Sequence, residues 1–241
     1  MTASEVSAPS RRERLRAATV HEIKDAARRM LVTGGPQAIS LRAIARDMGM
    51  TAPAIYRYFP SLDGLIGELV EDLYDELRTE VEAARDAEGG GELAQLQAMA
   101  RAFRRWSVAY PAEFALLFGN PVPGVPSFED KCSDPEHGGN RFGAVFLDTF
   151  AALWHKAPFR TPPREIISDR LAHCLIPYGE NHEPHLDLPV EVIYVYLSGW
   201  TRLYGMVAME VFGHTRWALS DPEPLFETEL AVFVDQLSRP A

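Results

Sequence analysis

The feature that most constrains this chain is residues 40–61, where one glycine separates two stretches too short to fold alone. The first, Ser40-Leu41-Arg42-Ala43-Ile44-Ala45-Arg46-Asp47-Met48, places Leu41, Ile44, Ala45 and Met48 on one side at helical spacing. Ser40 stands where an N-cap belongs. Gly49 supplies the turn. The second stretch, Thr51-Ala52-Pro53-Ala54-Ile55-Tyr56-Arg57-Tyr58-Phe59, begins at Thr51 as a candidate N-cap. It tolerates Pro53 in its first turn and is closed by Pro60. Two short helices joined in this way form a helix-turn-helix, whose second helix enters the DNA major groove. So small a unit buries little by itself and needs helical neighbours.

Those neighbours flank it. Upstream, Leu15, Val20, Ile23, Ala27, Met30 and Leu31 recur at helical spacing over residues 12–33, and Gly34-Gly35-Pro36 ends the run. Downstream, Ser61 caps a helix carrying Leu62, Leu65, Ile66, Leu69, Val70, Leu73, Leu77 and Val81 on one face, until Gly89-Gly90-Gly91 breaks it. Its roughly 25 residues span ~38 Å at ~1.5 Å each. Further helices are expected at residues 92–110, 111–118, 137–156, 163–174, 189–212 and 221–237, with 119–138 as a loop. No strand-type alternation stands out. The expected fold is all-α, a three-helix helix-turn-helix head joined to a larger helical bundle for ligand binding and dimerisation. The division expected is a disordered tail at 1–10, the head at 11–60, a connecting helix at 61–87 and the bundle at 88–241.

The overall charge of −10 argues superficially against a nucleic-acid partner. Its distribution removes the objection. Residues 1–60 hold ten Lys/Arg against five Asp/Glu, a net of +5, which leaves −15 for the remainder. A basic head on an acidic body suits a chain with one end that approaches phosphates. Arg11, Arg12, Arg14 and Arg16 allow two readings, a solvated helix start or an arm on phosphates or the minor groove.

Cys132 and Cys174 are too few for a disulfide framework, and the first ten residues lack the apolar region of a secretory signal, so a cytoplasmic setting is expected. The apolar run at 190–212 is interrupted by Glu191, Arg202 and Glu210, which suits a buried helix rather than a membrane span. His173-Cys174 with His182, Glu183, His185 and Asp187 collects metal-type ligands, but the spacing matches no standard motif; no metal or cofactor is assigned. No phosphate loop, nucleophile elbow or zinc-protease motif is present, so catalysis is not expected.

In the head, Arg42 and Arg57 are cationic donors for phosphates or guanine edges. Tyr56 and Tyr58 offer hydroxyls, Thr51 a hydroxyl and a methyl, and Ala52 and Pro53 apolar surface for a thymine methyl. Ser40 completes the candidate DNA set. In the body, Phe103, Trp106, Tyr110, Phe114, Phe146, Trp154, Trp200 and Tyr204 are candidates for a mostly apolar pocket, with His155, His173 and Arg202 as polar markers; most such residues in any bundle are ordinary core. The helices at 189–212 and 221–237 are apolar around much of their circumference, as central or partner-sharing helices are.

The head resembles the TetR family of bacterial transcriptional regulators over residues 20–70. The resemblance rests on the Gly-Gly break, Ser40-Leu41-Arg42-Ala43-Ile44-Ala45, Met48-Gly49-Met50-Thr51 and Ala54-Ile55-Tyr56-Arg57-Tyr58-Phe59-Pro60-Ser61, followed by Leu65. It implies DNA contacts from Thr51, Ala52, Pro53, Tyr56, Arg57 and Tyr58. Where the family usually has a phosphate-binding Lys this chain has Leu62, with Arg42 or Arg46 as candidate replacements. In the body, residues 110–118 and Trp200-Thr201-Arg202-Leu203-Tyr204-Gly205 resemble one subgroup, whose usual His is Tyr204 here. The family's last two helices pair with those of a second copy. The resemblance therefore implies a homodimeric transcriptional regulator, a repressor released from a palindromic double-stranded operator by a small-molecule effector. The other readings are a small-molecule or metal sensor without DNA readout, and an all-α enzyme or carrier.

Overall fold

A computed structural model describes residues 10–119, 137–182 and 187–240. Ten α-helices occur among them: α1 (Arg11–Gly34), α2 (Leu41–Asp47), α3 (Ala52–Ile55), α4 (Leu62–Ala87), α5 (Glu92–Ala109), α6 (Pro111–Phe118), α7 (Gly138–Lys156), α8 (Asp169–His182), α9 (Val190–Val211) and α10 (Glu223–Ser238). The described backbone contains no strand; its nearest approach is an isolated antiparallel bridge between Phe159 and Pro240. The fold is all-α. No described helix is long and apolar enough to cross a membrane. The chain forms two compact units whose boundary falls within α4, between Val70 and Glu71.

The first unit has a small core of Ile23, Ala26, Ala27 and Leu31 from α1, Leu41, Ile44 and Ala45 from α2, and Ile55, Phe59, Leu65, Ile66 and Leu69 beyond them. Burying a side chain such as Ile55 or Phe59 stabilises by about 1.5–3 kcal/mol. Helix α1 starts with a reciprocal cap. The Glu13 N–H donates to Ser10 Oγ at 3.3 Å, and the Ser10 N–H donates to Glu13 Oε2 at 2.6 Å. Ser40 caps α2 by accepting from the Ala43 N–H at 3.1 Å, and Ser61 caps α4 by accepting from Gly64 at 3.1 Å.

Helix α3 is shorter than the expected span of residues 51–59. Regular helix ends at Ile55, and the chain tightens so that Arg57 N–H donates to the Ala54 carbonyl and Tyr58 N–H to that of Ile55. Proline at position 60 disfavours helical geometry at Phe59. Ile55 and Phe59 must also both reach the same core, and both are buried. Thr51 occupies the N-cap position of α3 in extended conformation, as the sequence reading expects, but its side chain makes no capping bond.

In the second unit, α5 packs against α6, α7, α9 and α10. Its core is aromatic. Phe103 lies 5.6 Å from Trp200, 5.8 Å from Phe142 and 6.2 Å from Phe114, ring centre to ring centre. The helix expected at residues 163–174 differs in extent. A 3₁₀ turn at Arg164–Ile166 precedes it, α8 begins at Asp169 with Ser168 accepting from the Leu171 N–H, and the helix continues past Pro177 to His182. Cys132, Glu183 and His185 lie outside the described residues, as does the expected tail apart from Ser10.

Candidate nucleic-acid interface and bundle cavity

The turn between α2 and α3 depends on Gly49. Its φ of 65° lies in the left-handed region that side chains disfavour. That conformation lets the Met50 N–H reach back to the Ala45 carbonyl at 2.7 Å and the Gly49 N–H to that of Arg46 at 3.3 Å. These two bonds are the paired C-terminal closure of a Schellman motif, and they satisfy carbonyls that the end of α2 would otherwise leave open. Thr51 and α3 follow directly.

Around this turn the side chains sort by burial. Ile55 and Phe59 face the core, while Arg42, Thr51, Ala52, Pro53, Tyr56 and Arg57 are exposed. Ser40 is half-buried and already holds the start of α2. Tyr58 is half-buried beneath the Arg16 guanidinium, which lies 5.2 Å from its ring centre. Arg29 pairs with Asp47 at 3.2 Å, and Lys24 approaches Glu68 at 3.9 Å. Arg42, Arg46 and Arg57 make no ion pair with another described residue. A guanidinium without a carboxylate partner offers its full fork of donors to a phosphate or to a guanine edge.

The second unit contains a small cavity of about 70 Å³ between α5, α7, α9 and α10. Its wall is apolar and aromatic, with Phe146, Phe150, Trp200, Met206 and Phe233 prominent, and its polar side chains are Gln97, Arg202 and Glu229. The Arg202 guanidinium lies over the Phe233 ring at 5.6 Å. Gly199 is needed beside it, because a Cβ there would collide with the Phe233 ring.

Of the residues nominated for a pocket, Phe146, Trp200 and the marker Arg202 line this cavity. Phe103 and Phe114 are fully buried behind it, in the aromatic core. The Trp106 indole donates to Glu76 Oε1 at 2.9 Å, and the Tyr204 hydroxyl to the Phe118 carbonyl at 2.8 Å. Tyr110 is exposed beside Trp106, Trp154 packs edge-on to Phe159, and His173 is exposed on α8. Sequence reading missed Phe150, Tyr196, Met206 and Phe233. Two signals pointed to them, the four-residue spacing of Phe146 and Phe150, and a glycine inside an apolar helix, where close approach by another side chain is the usual reason.

Ion pairs join the helices around the cavity. Arg104 donates from Nε and Nη2 to Glu210 at 2.8 Å each and from Nη1 to Glu223 at 3.1 Å. Arg101 makes a forked pair with Glu227 at 2.7–3.1 Å, which holds that carboxyl below its ordinary range. Burial pushes the Tyr74 phenol up, with the nearby Glu71 charge adding to the effect.

The family model described as "Bacterial regulatory proteins, tetR family" matches residues 23–69, and "Tetracyclin repressor-like, C-terminal domain" matches residues 96–233. The HTH-type transcriptional regulator Rv1816 of Mycobacterium tuberculosis is 32% identical over 225 residues, covering 90% of this chain and 91% of that protein. The HTH-type transcriptional regulator AlkX of the same organism is 29% identical over 193 residues, covering 78% and 91%. The crystal structure of regulatory protein SCO4313 is 32% identical with a TM-score of 0.74, covering 95% of this chain and 100% of that one.

Proposed function

Because this chain belongs to the TetR family and is a DNA-binding transcriptional regulator, we propose that it acts as a homodimeric repressor released from its operator by a small apolar effector. The observation that carries the reading is the exposed set Arg42, Thr51, Ala52, Pro53, Tyr56 and Arg57 around the Gly49 turn, in a head of net positive charge. Thr51, Ala52 and Pro53 meet base edges, Arg57 and Arg42 grip phosphates or guanine, and Ser40, Tyr56 and Tyr58 add hydroxyl contacts. Residues 11–60 form the DNA-binding head, 61–87 the connecting helix and 88–241 the ligand and dimerisation bundle.

Dimerisation uses the outward sides of α9 and α10, where Met209, Phe212, Leu225 and Val232 are exposed. Two heads then engage half-sites in successive major grooves of a near-palindrome. The effector occupies the cavity between α5, α7, α9 and α10, whose lining suits a compact apolar molecule with one polar group. Both proposed dimer helices contribute to that wall. The effector lowers operator affinity by binding better to the form that DNA binds worse, and DNA weakens effector binding equally.

Operator sites selected from random duplex test the DNA reading by fluorescence anisotropy. Binding to the selected site should exceed binding to random duplex and weaken with salt. No such preference would remove the central claim. A screen of small apolar compounds for release of the selected duplex tests the effector. Leu203 lines the cavity, so Leu203→Trp, which fills it, should abolish release by any hit while leaving operator binding intact; release that persists places the effector elsewhere.

A further inference from the structure

We propose that Arg12 and Arg16 on α1 form a second phosphate grip, extending the DNA-binding surface beyond α2 and α3. The inference rests on reading the head as DNA-binding. It concerns residues upstream of 23–69, the span matched by the family model for the head.

Residues 11–18 are exposed throughout, and even Leu15 is 59% exposed, so burial does not account for this helical extension. Local electrostatics disfavour it. Arg11 and Arg12 sit in the first turn of α1, at the positive end of its macrodipole, where cations destabilise a helix, and Arg14 and Arg16 follow directly. Arg12 and Arg16 are also like charges four residues apart and repel on one face. Glu13 is the sole carboxylate among residues 10–21, and it is tied back to the Ser10 N–H at the cap rather than to an arginine. A stretch that breaks local rules in this way gains most when a polyanion lies against it.

The direction of that face comes from Tyr58. Arg16 covers its ring, and Tyr58 directly follows the exposed Arg57. Through Tyr58, Arg16 therefore lies against the segment that carries the exposed Arg57. Arg12 stands one helical turn, ~6 Å, further along the same side. A guanidinium stacked on an aromatic ring keeps its edge donors free, so Arg16 can lie on Tyr58 and still donate to a phosphate oxygen. The ligand is the DNA backbone flanking each half-site. Contacts of this kind grip without reading sequence.

The test compares wild type with Arg12→Gln/Arg16→Gln and with the charge-preserving Arg12→Lys/Arg16→Lys, using the full-length chain. Anisotropy is measured on the selected duplex and on random duplex between 50 and 200 mM salt. The Gln variant should weaken both duplexes by a similar factor. The slope of log K against log salt should become shallower by about 1 per lost phosphate contact, about four for a dimer. The Lys variant should keep most of the slope. Relief of the like-charge repulsion offsets loss of the Arg16 stack on Tyr58, so thermal stability of the Gln variant should stay close to wild type, which separates lost contact from misfolding. An unchanged slope in the Gln variant overturns the grip while the DNA-binding reading stands. A loss confined to the selected duplex also overturns it, since that would mean base reading. If wild type shows no salt-dependent binding, the underlying reading fails instead.

Discussion

Helix α5 in the body and the Gly49 turn in the head use arginine in opposite ways. In the body, Arg101 and Arg104 are committed to carboxylates on other helices, Glu227 in one case and Glu210 and Glu223 in the other. Arg104 and Glu210 are only 15% and 11% exposed, so each side chain partly replaces the water that the other has lost. In the head, Arg42, Arg46 and Arg57 stand exposed with no carboxylate against them, although Asp47 is nearby and pairs with Arg29 instead. Paired arginines hold helices together. An unpaired exposed arginine contributes little to the free protein, and none of its interaction must be broken when a phosphate arrives. The same residue type thus ties helices together on α5 and stays open around the Gly49 turn.

The largest effect expected from breaking this division lies in the body core. Phe103→Ala removes a fully buried ring in contact with Phe114, Phe118, Phe142 and Trp200. It should destabilise by about 3–5 kcal/mol in urea denaturation, the range for large aromatic truncations. Exchanging roles comes next. Arg104→Ala should cost about 1.5–3 kcal/mol of stability through lost charge-assisted hydrogen bonds. Arg57→Ala should leave the melting temperature within about 1 °C and instead cost about 1–3 kcal/mol of operator affinity. If Arg57→Ala destabilises as much as Arg104→Ala, the contrast between paired and unpaired arginines is wrong.

Gly49→Ala probes the turn that presents α3. A left-handed conformation costs a side-chain-bearing residue about 1–2 kcal/mol. The loss should appear in thermal melts together with weaker DNA binding. The smallest effect concerns pH. Arg101 holds the Glu227 carboxyl below its ordinary value near 4.5. The pair's contribution is therefore present above that value and is lost as pH falls through the lowered one. Both side chains are about two-fifths exposed, so screening limits the contribution to well under 1 kcal/mol. Urea titrations of wild type and Glu227→Gln should differ slightly at pH 7 and converge as pH falls below the lowered carboxyl value.

Much of the head was legible because its determinants are local. Ser40 and Ser61 cap helices from three residues away, and Gly49 meets a dihedral requirement within one turn. The extent of α3 was less legible. Proline marked the end of the stretch, but the early tightening also depends on bringing both Ile55 and Phe59 into a core shared with α1 and α4. Composition showed that the body was aromatic without showing which rings border a cavity. Phe103 and Trp200 touch, yet one is fully buried and the other lines the space, through packing with α7 and α10.

By itself, then, the sequence determined the helical class, the helix-turn-helix with its glycine turn, and the basic head on an acidic body. These follow from backbone preferences and side-chain charges that act within a few residues or merely add. Tertiary structure decided which arginines are satisfied, which aromatic rings are core, that α8 continues past Pro177, and that Arg16 lies on Tyr58. Each of these depends on groups brought together by folding. Arg101 meets Glu227 across 126 positions of chain, a pairing that no local pattern encodes.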